Sequence, residues 1–303
     1  MRYPQGILVS CEIPWDEKER LLEGIFRNEV QTAISKGFSK VYIFGTAGEG
    51  YAVDTLRFQN IVEIFREETK DNNVLAQVGV IGLSTASIVE RLEFAHRAGF
   101  RDFQISLPCW SALSDDELLT FFKDVCGQFP DSRFLHYNLG RARRVLTPMD
   151  YRRVADVVPN LAATKITTQD IGVACELMRL VPELQHFFGE SLFPIGCLYG
   201  ECSLLSSFGL LFPRRTQEYF QYGQTRQFDK LFPMFREHME FIEDFIKATA
   251  GKDLIDGAYD KMLVRLGGMD FPPRLLSPYE WFSEDVFHSC QKVIREKWSK
   301  WLD

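Results

Sequence analysis

Lys165 closes the apolar run Leu161-Ala162-Ala163-Thr164, and Tyr137 closes the run Phe134-Leu135-His136 one strand–helix unit earlier. A lysine ending an apolar strand is ordinarily a solvated cap, and a tyrosine there is ordinarily packed with its hydroxyl satisfied. The pair acquires a chemistry if both side chains point into one interior. An amine held away from water can be the neutral nucleophile that attacks a carbonyl, and a phenol beside it can pass protons. Adjacent parallel strands run roughly 5 Å apart, so side chains ending successive strands can meet over one substrate atom. Period-two alternation then turns His136 to the face opposite Tyr137.

A third feature lies far upstream. Gly45-Thr46-Ala47-Gly48-Glu49-Gly50 follows the apolar run Val41 to Phe44 directly. Glycines let backbone approach a ligand and expose successive N–H groups, which suits a small anion such as a carboxylate. The turn lacks the Gly-Lys-Ser/Thr of a nucleotide phosphate loop and the full glycine set of a dinucleotide fingerprint. Beyond Tyr137-Asn138 the chain reads Leu139-Gly140-Arg141-Ala142-Arg143-Arg144. Its three arginines are either a solvated loop or a clamp for a second acidic group on the substrate.

These residues need a frame that brings them together. Short apolar runs recur at Ile7 to Ser10, Val41 to Phe44, Val74 to Val80, Phe103 to Leu107, Phe134 to Tyr137, Leu161 to Lys165, His186 to Phe188 and Cys202 to Leu205. Between them lie stretches of helical periodicity, such as Leu21 to Ser35, Leu56 to Glu67, Thr85 to Ala98, Asp115 to Cys126 and Asp150 to Val157. Uniformly apolar strands alternating with amphipathic helices predict a parallel sheet covered by helices, and eight repeats predict a (β/α)8 barrel. Thr147-Pro148 has the form of a helix start, Ser114 and Glu117 have capping-box spacing, and Gly37 and Gly99 close helices. In such a barrel the working residues sit at the C-terminal ends of the strands, where all three features fall. After about residue 213 the alternation stops, and 214–249, 253–267 and 278–302 read as helical. The expected organisation is a barrel over 1–228 and a helical extension over 229–303 packed on it.

Composition narrows the function. Hydrophobic residues make up 46% and charged residues 25% of 303, an ordinary globular mix, and the net charge is −7. An acidic balance argues against a nucleic-acid or anionic-membrane surface but permits a small anionic substrate held by a local basic cluster. The seven cysteines are scattered without a C-x-x-C pair, which predicts reduced thiols in a cytoplasmic protein and neither a disulfide framework nor a metal site. Met1 to Ser10 does not read as a signal peptide. No apolar stretch approaches the ~20 residues that span a bilayer.

Taken in order, these motifs resemble the dihydrodipicolinate synthase/N-acetylneuraminate lyase family over nearly the whole chain. The family's G-[ST]-T-G-E turn is Gly45-Thr46-Ala47-Gly48-Glu49, its Y-N is Tyr137-Asn138, and its Schiff-base lysine is Lys165, followed by Ile166-Thr167. Its strand-seven turn resembles Gly189-Glu190-Ser191, its strand-eight segment resembles Gly200 through Ser206, and Gly267-Gly268 and Pro272-Pro273-Arg274 fit its helical tail. The resemblance implies a (β/α)8 barrel with a C-terminal helical extension, assembled as a dimer or tetramer. It also implies that Lys165 forms an imine with pyruvate or another 2-oxo acid and makes or breaks a bond to an aldehyde. Tyr137 and Thr46 would shuttle protons, and backbone at Gly45, Thr46 and Ala47 would hold the carboxylate. Thr167, Gly189, Glu190 and Ser206 would bind substrate, with no metal or organic cofactor. Glu190 resembles a position at which sugar-acid lyases bind hydroxyls.

Three departures are visible. Ala47 stands where the family has threonine, which removes one hydroxyl from the carboxylate site. A typical hydrogen bond of that kind contributes about 1 kcal/mol. Cys109-Trp110 stands where the synthase has two tyrosines, so Trp110 can fill a site or an interface but cannot relay a proton. The synthase's arginine is displaced, with Ala142 at its simplest aligned position and Arg141 and Arg143 on either side. These differences argue against dihydrodipicolinate synthesis itself. They leave an aldolase or lyase for a sugar-acid-like or dicarboxylic 2-oxo acid, a dehydratase or deaminase using the same imine, or a catalytically silent binding protein.

Overall fold

Eight short strands pair in parallel in chain order, and the last closes on the first. They are β1 (Ile7–Ser10), β2 (Lys40–Ile43), β3 (Leu75–Gly79), β4 (Asp102–Ile105), β5 (Arg133–Asn138), β6 (Leu161–Ile166), β7 (Gln185–Phe188) and β8 (Ser203–Ser206). Each is followed by a helix on the outside: α1 (Glu23–Ser35), α2 (Thr55–Thr69), α3 (Thr85–Arg97), α4 (Asp115–Cys126), α5 (Pro148–Val157), α6 (Ile171–Leu180), α7 (Phe193–Tyr199) and α8 (Pro213–Gln224). Three further helices complete the chain: α9 (Phe228–Ala248), α10 (Asp256–Leu266) and α11 (Glu284–Val293). The structure, a computed structural model, describes residues 1–70, 73–168, 170–249 and 251–302. The (β/α)8 architecture expected from the alternation is the one observed. None of the described helices is long and apolar enough to cross a membrane.

Local chemistry sets the boundaries. Thr147 caps α5 reciprocally with Asp150, with Pro148 at the first turn, and Ser114 and Glu117 do the same for α4. Gly37 and Gly99 end α1 and α3 at φ +89° and +100°, a region that only glycine occupies cheaply. The tail departs from the expected pattern in two places. The helix read over 214–249 is broken between α8 and α9, where Arg226 takes φ +56° and its guanidinium donates to the Cys197 carbonyl at the end of α7. Helix also begins later than 278, at Glu284, and continues beyond α11 as one wide turn, Ile294–Trp298.

Strand alternation divides the core in two. Leu8, Tyr42, Leu135, Tyr137, Ala163, Phe187 and Leu205 fill the barrel interior, while the residues between them pack outwards under the helices. His136 therefore points out, its Nδ1 2.7 Å from the Tyr151 hydroxyl of α5, and burial pushes its pKa down to about 3. His186 points out as well, 2.9 Å from the Thr164 hydroxyl, and burial lowers it to about 4. Both are neutral packing groups. Tyr3 and the Arg133–Asp102 ion pair close the N-terminal end of the barrel, leaving the C-terminal end for a ligand. The tail has its own apolar cluster, built around Phe212, Phe241, Met262, Phe282, Trp298 and Trp301.

Two acids are buried at the junction of barrel and tail. Glu29 of α1 accepts the Glu12 backbone N–H at 2.8 Å, and neither side chain is more than 1% exposed. Burial raises Glu29 well above the usual carboxylate range and raises Glu12 to about 7. Ser10 and Lys261 pull Glu12 back, while Glu49 and Asp256 push it further up. A folded-state value above the unfolded one means that the neutral form is the stabilised one. That stability is present below about pH 4.5 and is lost as pH rises through about 7. The variant Glu12→Gln, neutral throughout, should gain on the native protein by up to about 3 kcal/mol between pH 5 and 8. Thermal melts of both proteins across that range check it; parallel curves would show that Glu12 does not titrate there.

Candidate active site

A cavity of about 320 Å³ opens at the C-terminal end of the barrel, with Tyr137, Lys165 and Glu190 among its walls. Register explains the meeting of the first two. Tyr137 of β5 and Lys165 of β6 are direct partners across adjacent strands, and both face inwards. Lys165 Nζ donates to the Tyr137 hydroxyl at 3.0 Å and to the Thr167 hydroxyl, and lies 4.3 Å from the centre of the Tyr137 ring. The two side chains are 7% and 8% exposed, open only towards the cavity. The amine therefore meets hydroxyls and no carboxylate among its described partners.

The opposite wall is acidic. Glu190 leads out of β7, and its Oε1 accepts from the Ser206 hydroxyl at 2.8 Å and from the backbone N–H of Ser207 at 2.9 Å. Burial raises its pKa, and these donors offset part of the rise. Asp260 of α10 also lines the cavity. Its pKa is raised by burial first and then by Glu12, Asp256 and Glu190, with the Ser207 hydroxyl acting against them. Lys165 is the one cation among the described residues that line the cavity.

The residues singled out in the sequence separate into two groups. Lys165, Tyr137, Ala47, Thr167, Gly189, Glu190 and Ser206 line this cavity together. Thr46 lines a second, adjoining cavity of about 550 Å³. The turn between the cavities is tightly built: a side chain on Gly45 would stand 2.7 Å from the Tyr42 ring, and Phe44 and Glu49 take φ +62° and +56°. Arg141 also faces the second cavity, but Asp256 at the start of α10 engages it through two bonds of 2.8 and 3.0 Å. Arg143 is exposed at φ +63°, and Arg144 is held by Asp115, Asp150 and the Leu113 carbonyl. Trp110 is 87% exposed and lies outside the Lys165 cavity. Arg141 and Arg144 are thus engaged by the protein's own acids, while Arg143 is exposed.

Ser10, Tyr42, Ile242, Asp256 and Asp260 reach the cavity without having been singled out. Alternation from Leu8 and Tyr137 would have found Ser10 and Tyr42. Asp256 and Asp260, one turn apart on an amphipathic helix, carry no signal that separates them from a solvated face.

The match to known proteins agrees with this geometry. The model of the dihydrodipicolinate synthetase family covers residues 3–297. The chain belongs to that family. It is 25% identical over 198 residues to the N-acetylneuraminate lyase of Shigella boydii, a match spanning 65% of this chain and 66% of that enzyme. In fold, it superposes with a TM-score of 0.86 on a prophage protein of the dihydrodipicolinic acid synthase family from E. coli K12, solved in complex with pyruvate. Sequence identity there is 17%, with 96% of this chain and 98% of that one covered. For the N-acetylneuraminate lyase of Fusobacterium nucleatum the TM-score is 0.85 at 16% identity, with 99% of both chains covered.

The 3.0 Å contact gives Tyr137 a testable role. Tyr137→Phe keeps the ring and removes the hydroxyl, so adduct formation at Lys165 should slow by roughly 10²-fold, the usual scale of a positioned acid–base group. Timed borohydride quenching with pyruvate measures this. An unchanged rate would remove Tyr137 from proton transfer.

Proposed function

We propose that this protein is a class I aldolase or lyase that forms or cleaves a carbon–carbon bond between pyruvate and an aldehyde through an imine on Lys165. The observation that carries the reading is the buried Lys165 amine set 3.0 Å from the Tyr137 hydroxyl at the mouth of the barrel. The amine lone pair adds to C2 of a 2-oxo acid, and the former carbonyl oxygen leaves as water after taking up protons. The protonated imine then accepts the electron pair of the C3–C4 bond as a 4-hydroxy-2-oxo acid breaks. Tyr137 takes the proton of the C4 hydroxyl, which becomes the aldehyde oxygen, and returns a proton to C3 of the enamine. Water then releases pyruvate and the free amine. The reverse order makes the bond.

Thr46 extends the proton path from Tyr137, and backbone N–H groups of the turn at Gly45, Thr46 and Ala47 hold the substrate carboxylate. Membership in the family, likeness to a member solved in complex with pyruvate and similarity to N-acetylneuraminate lyases support the pyruvate assignment.

Borohydride reduction in the presence of pyruvate, followed by peptide mass spectrometry, tests the proposal. A reduced pyruvyl adduct on Lys165 is expected. Labelling by larger 2-oxo acids but not by pyruvate would favour a dehydratase or deaminase using the same imine. Absence of any adduct would leave a binding protein without this chemistry.

A further inference from the structure

Part of the wall facing Lys165 comes from outside the barrel. Asp256 and Asp260 lie one turn apart on α10, but only Asp256 is paired, with Arg141. Asp260 has no cation partner among the described residues. Its carboxyl meets the Ser207 hydroxyl, and the charges nearest to it, Glu12, Asp256 and Glu190, are all acidic. Glu190 is 9% exposed, and its Oε1 already accepts three donors, from Ser206, Ser207 and Phe208. Its own backbone N–H acts on the carboxyl as well, and the group lines the cavity. A carboxyl on the cavity wall can accept a further donor from a ligand.

Such a surface discriminates between two kinds of substrate tail. A second carboxylate would meet acidic groups and no free cation among the described residues, so nothing there would balance its charge once it leaves water. Hydroxyl groups would meet acceptors at Glu190 and Asp260 and a hydroxyl at Ser207. We infer that Asp260 of α10 is a specificity-determining residue that, with Glu190, binds the hydroxyl-bearing end of the substrate chain and turns away a second carboxylate. This rests on the imine at Lys165 and chooses, among the 2-oxo acids that could form it, the polyhydroxylated over the dicarboxylic.

The test uses the full chain and three probes: pyruvate, 2-keto-3-deoxygluconate and 2-oxoglutarate. The concentration of each that half-labels Lys165 under borohydride is compared for the native protein, Asp260→Asn and Asp260→Leu. Pyruvate lacks the hydroxylated chain, so each probe's value is compared as a ratio to that of pyruvate, and thermal melts show that the variants are folded. The hydroxylated probe should label the native protein at lower concentration than 2-oxoglutarate. Asp260→Leu should weaken the hydroxylated probe by about tenfold and Asp260→Asn by less, the scale of one hydrogen bond. Native preference for 2-oxoglutarate, or a Leu variant with unchanged selectivity, overturns the inference while pyruvate labelling leaves the imine standing. A native protein labelled by none of the three overturns both.

Discussion

Lys165→Ala is expected to abolish turnover, by on the order of 10⁴-fold or more, while leaving the protein folded. The first half follows from chemistry. No other amine among the described residues lines the cavity, so none of them can replace Lys165 in forming the imine, and losing the nucleophile of a covalent mechanism costs far more than losing a binding contact. The second half follows from the partners. Lys165 donates to the hydroxyls of Tyr137 and Thr167, and both can turn to water in the emptied cavity when the amine is gone. No buried carboxylate is stranded. The melting temperature should therefore move by only a few degrees, the usual scale of a kcal/mol in a chain of this size. Peptide mapping after borohydride reduction with pyruvate should find no label. Retained turnover in a folded Lys165→Ala protein would sink the imine mechanism, whereas collapse of the fold would show that this lysine is structural.

The frame and the meeting of Tyr137 with Lys165 were legible in the sequence because both rest on periodicity. Alternation of strands and helices gives the barrel, and alternation within β5 and β6 sends Tyr137 and Lys165 in while His136 and Thr164 go out. The capping residues at Thr147 and Ser114 were legible for a related reason, since they act within four residues of chain. What stayed hidden depends on contacts distant in sequence. Arg141 reads as a ligand clamp until Asp256, far along the chain, is found to occupy it. Trp110 reads as a wall of the site, yet the loop after β4 carries it into solvent. Asp260 reads as a solvated helix face because nothing nearby in sequence shows that α10 lies over the barrel mouth. Charged residues are thus the least legible part of the site, since pairing, not type, decides what they do.

A second buried lysine makes the opposite case. Lys261 of α10 donates to Glu49 Oε2 at 2.6 Å and to the Arg274 carbonyl at 2.6 Å, and both members of the pair are 0% exposed. Glu49 also accepts from the Trp15 indole at 2.9 Å and from the Leu276 N–H at 2.6 Å. The pair therefore joins the turn after β2 to the tail, shut off from water and near the buried acids Glu12 and Glu29. Burial lowers the pKa of Lys261, and Glu49 opposes the fall. Lys261→Met should destabilise the protein by about 3–5 kcal/mol, because it strands a buried carboxylate. The double variant Glu49→Gln/Lys261→Met removes both charges and should recover a large part of that loss. Denaturant unfolding of the native, single and double variants measures the coupling, and a single-variant loss below about 1 kcal/mol would show that the pair is dispensable. The damage should also reach the site. Glu49 belongs to the turn that carries Thr46 and Ala47, so loosening it should raise the pyruvate concentration needed to label Lys165 even where Lys261→Met remains folded. A chain in which Lys261 fails and Lys165 still reacts at native pyruvate concentration would separate the tail from the chemistry. A chain in which both shift together would make the tail part of the active site's construction.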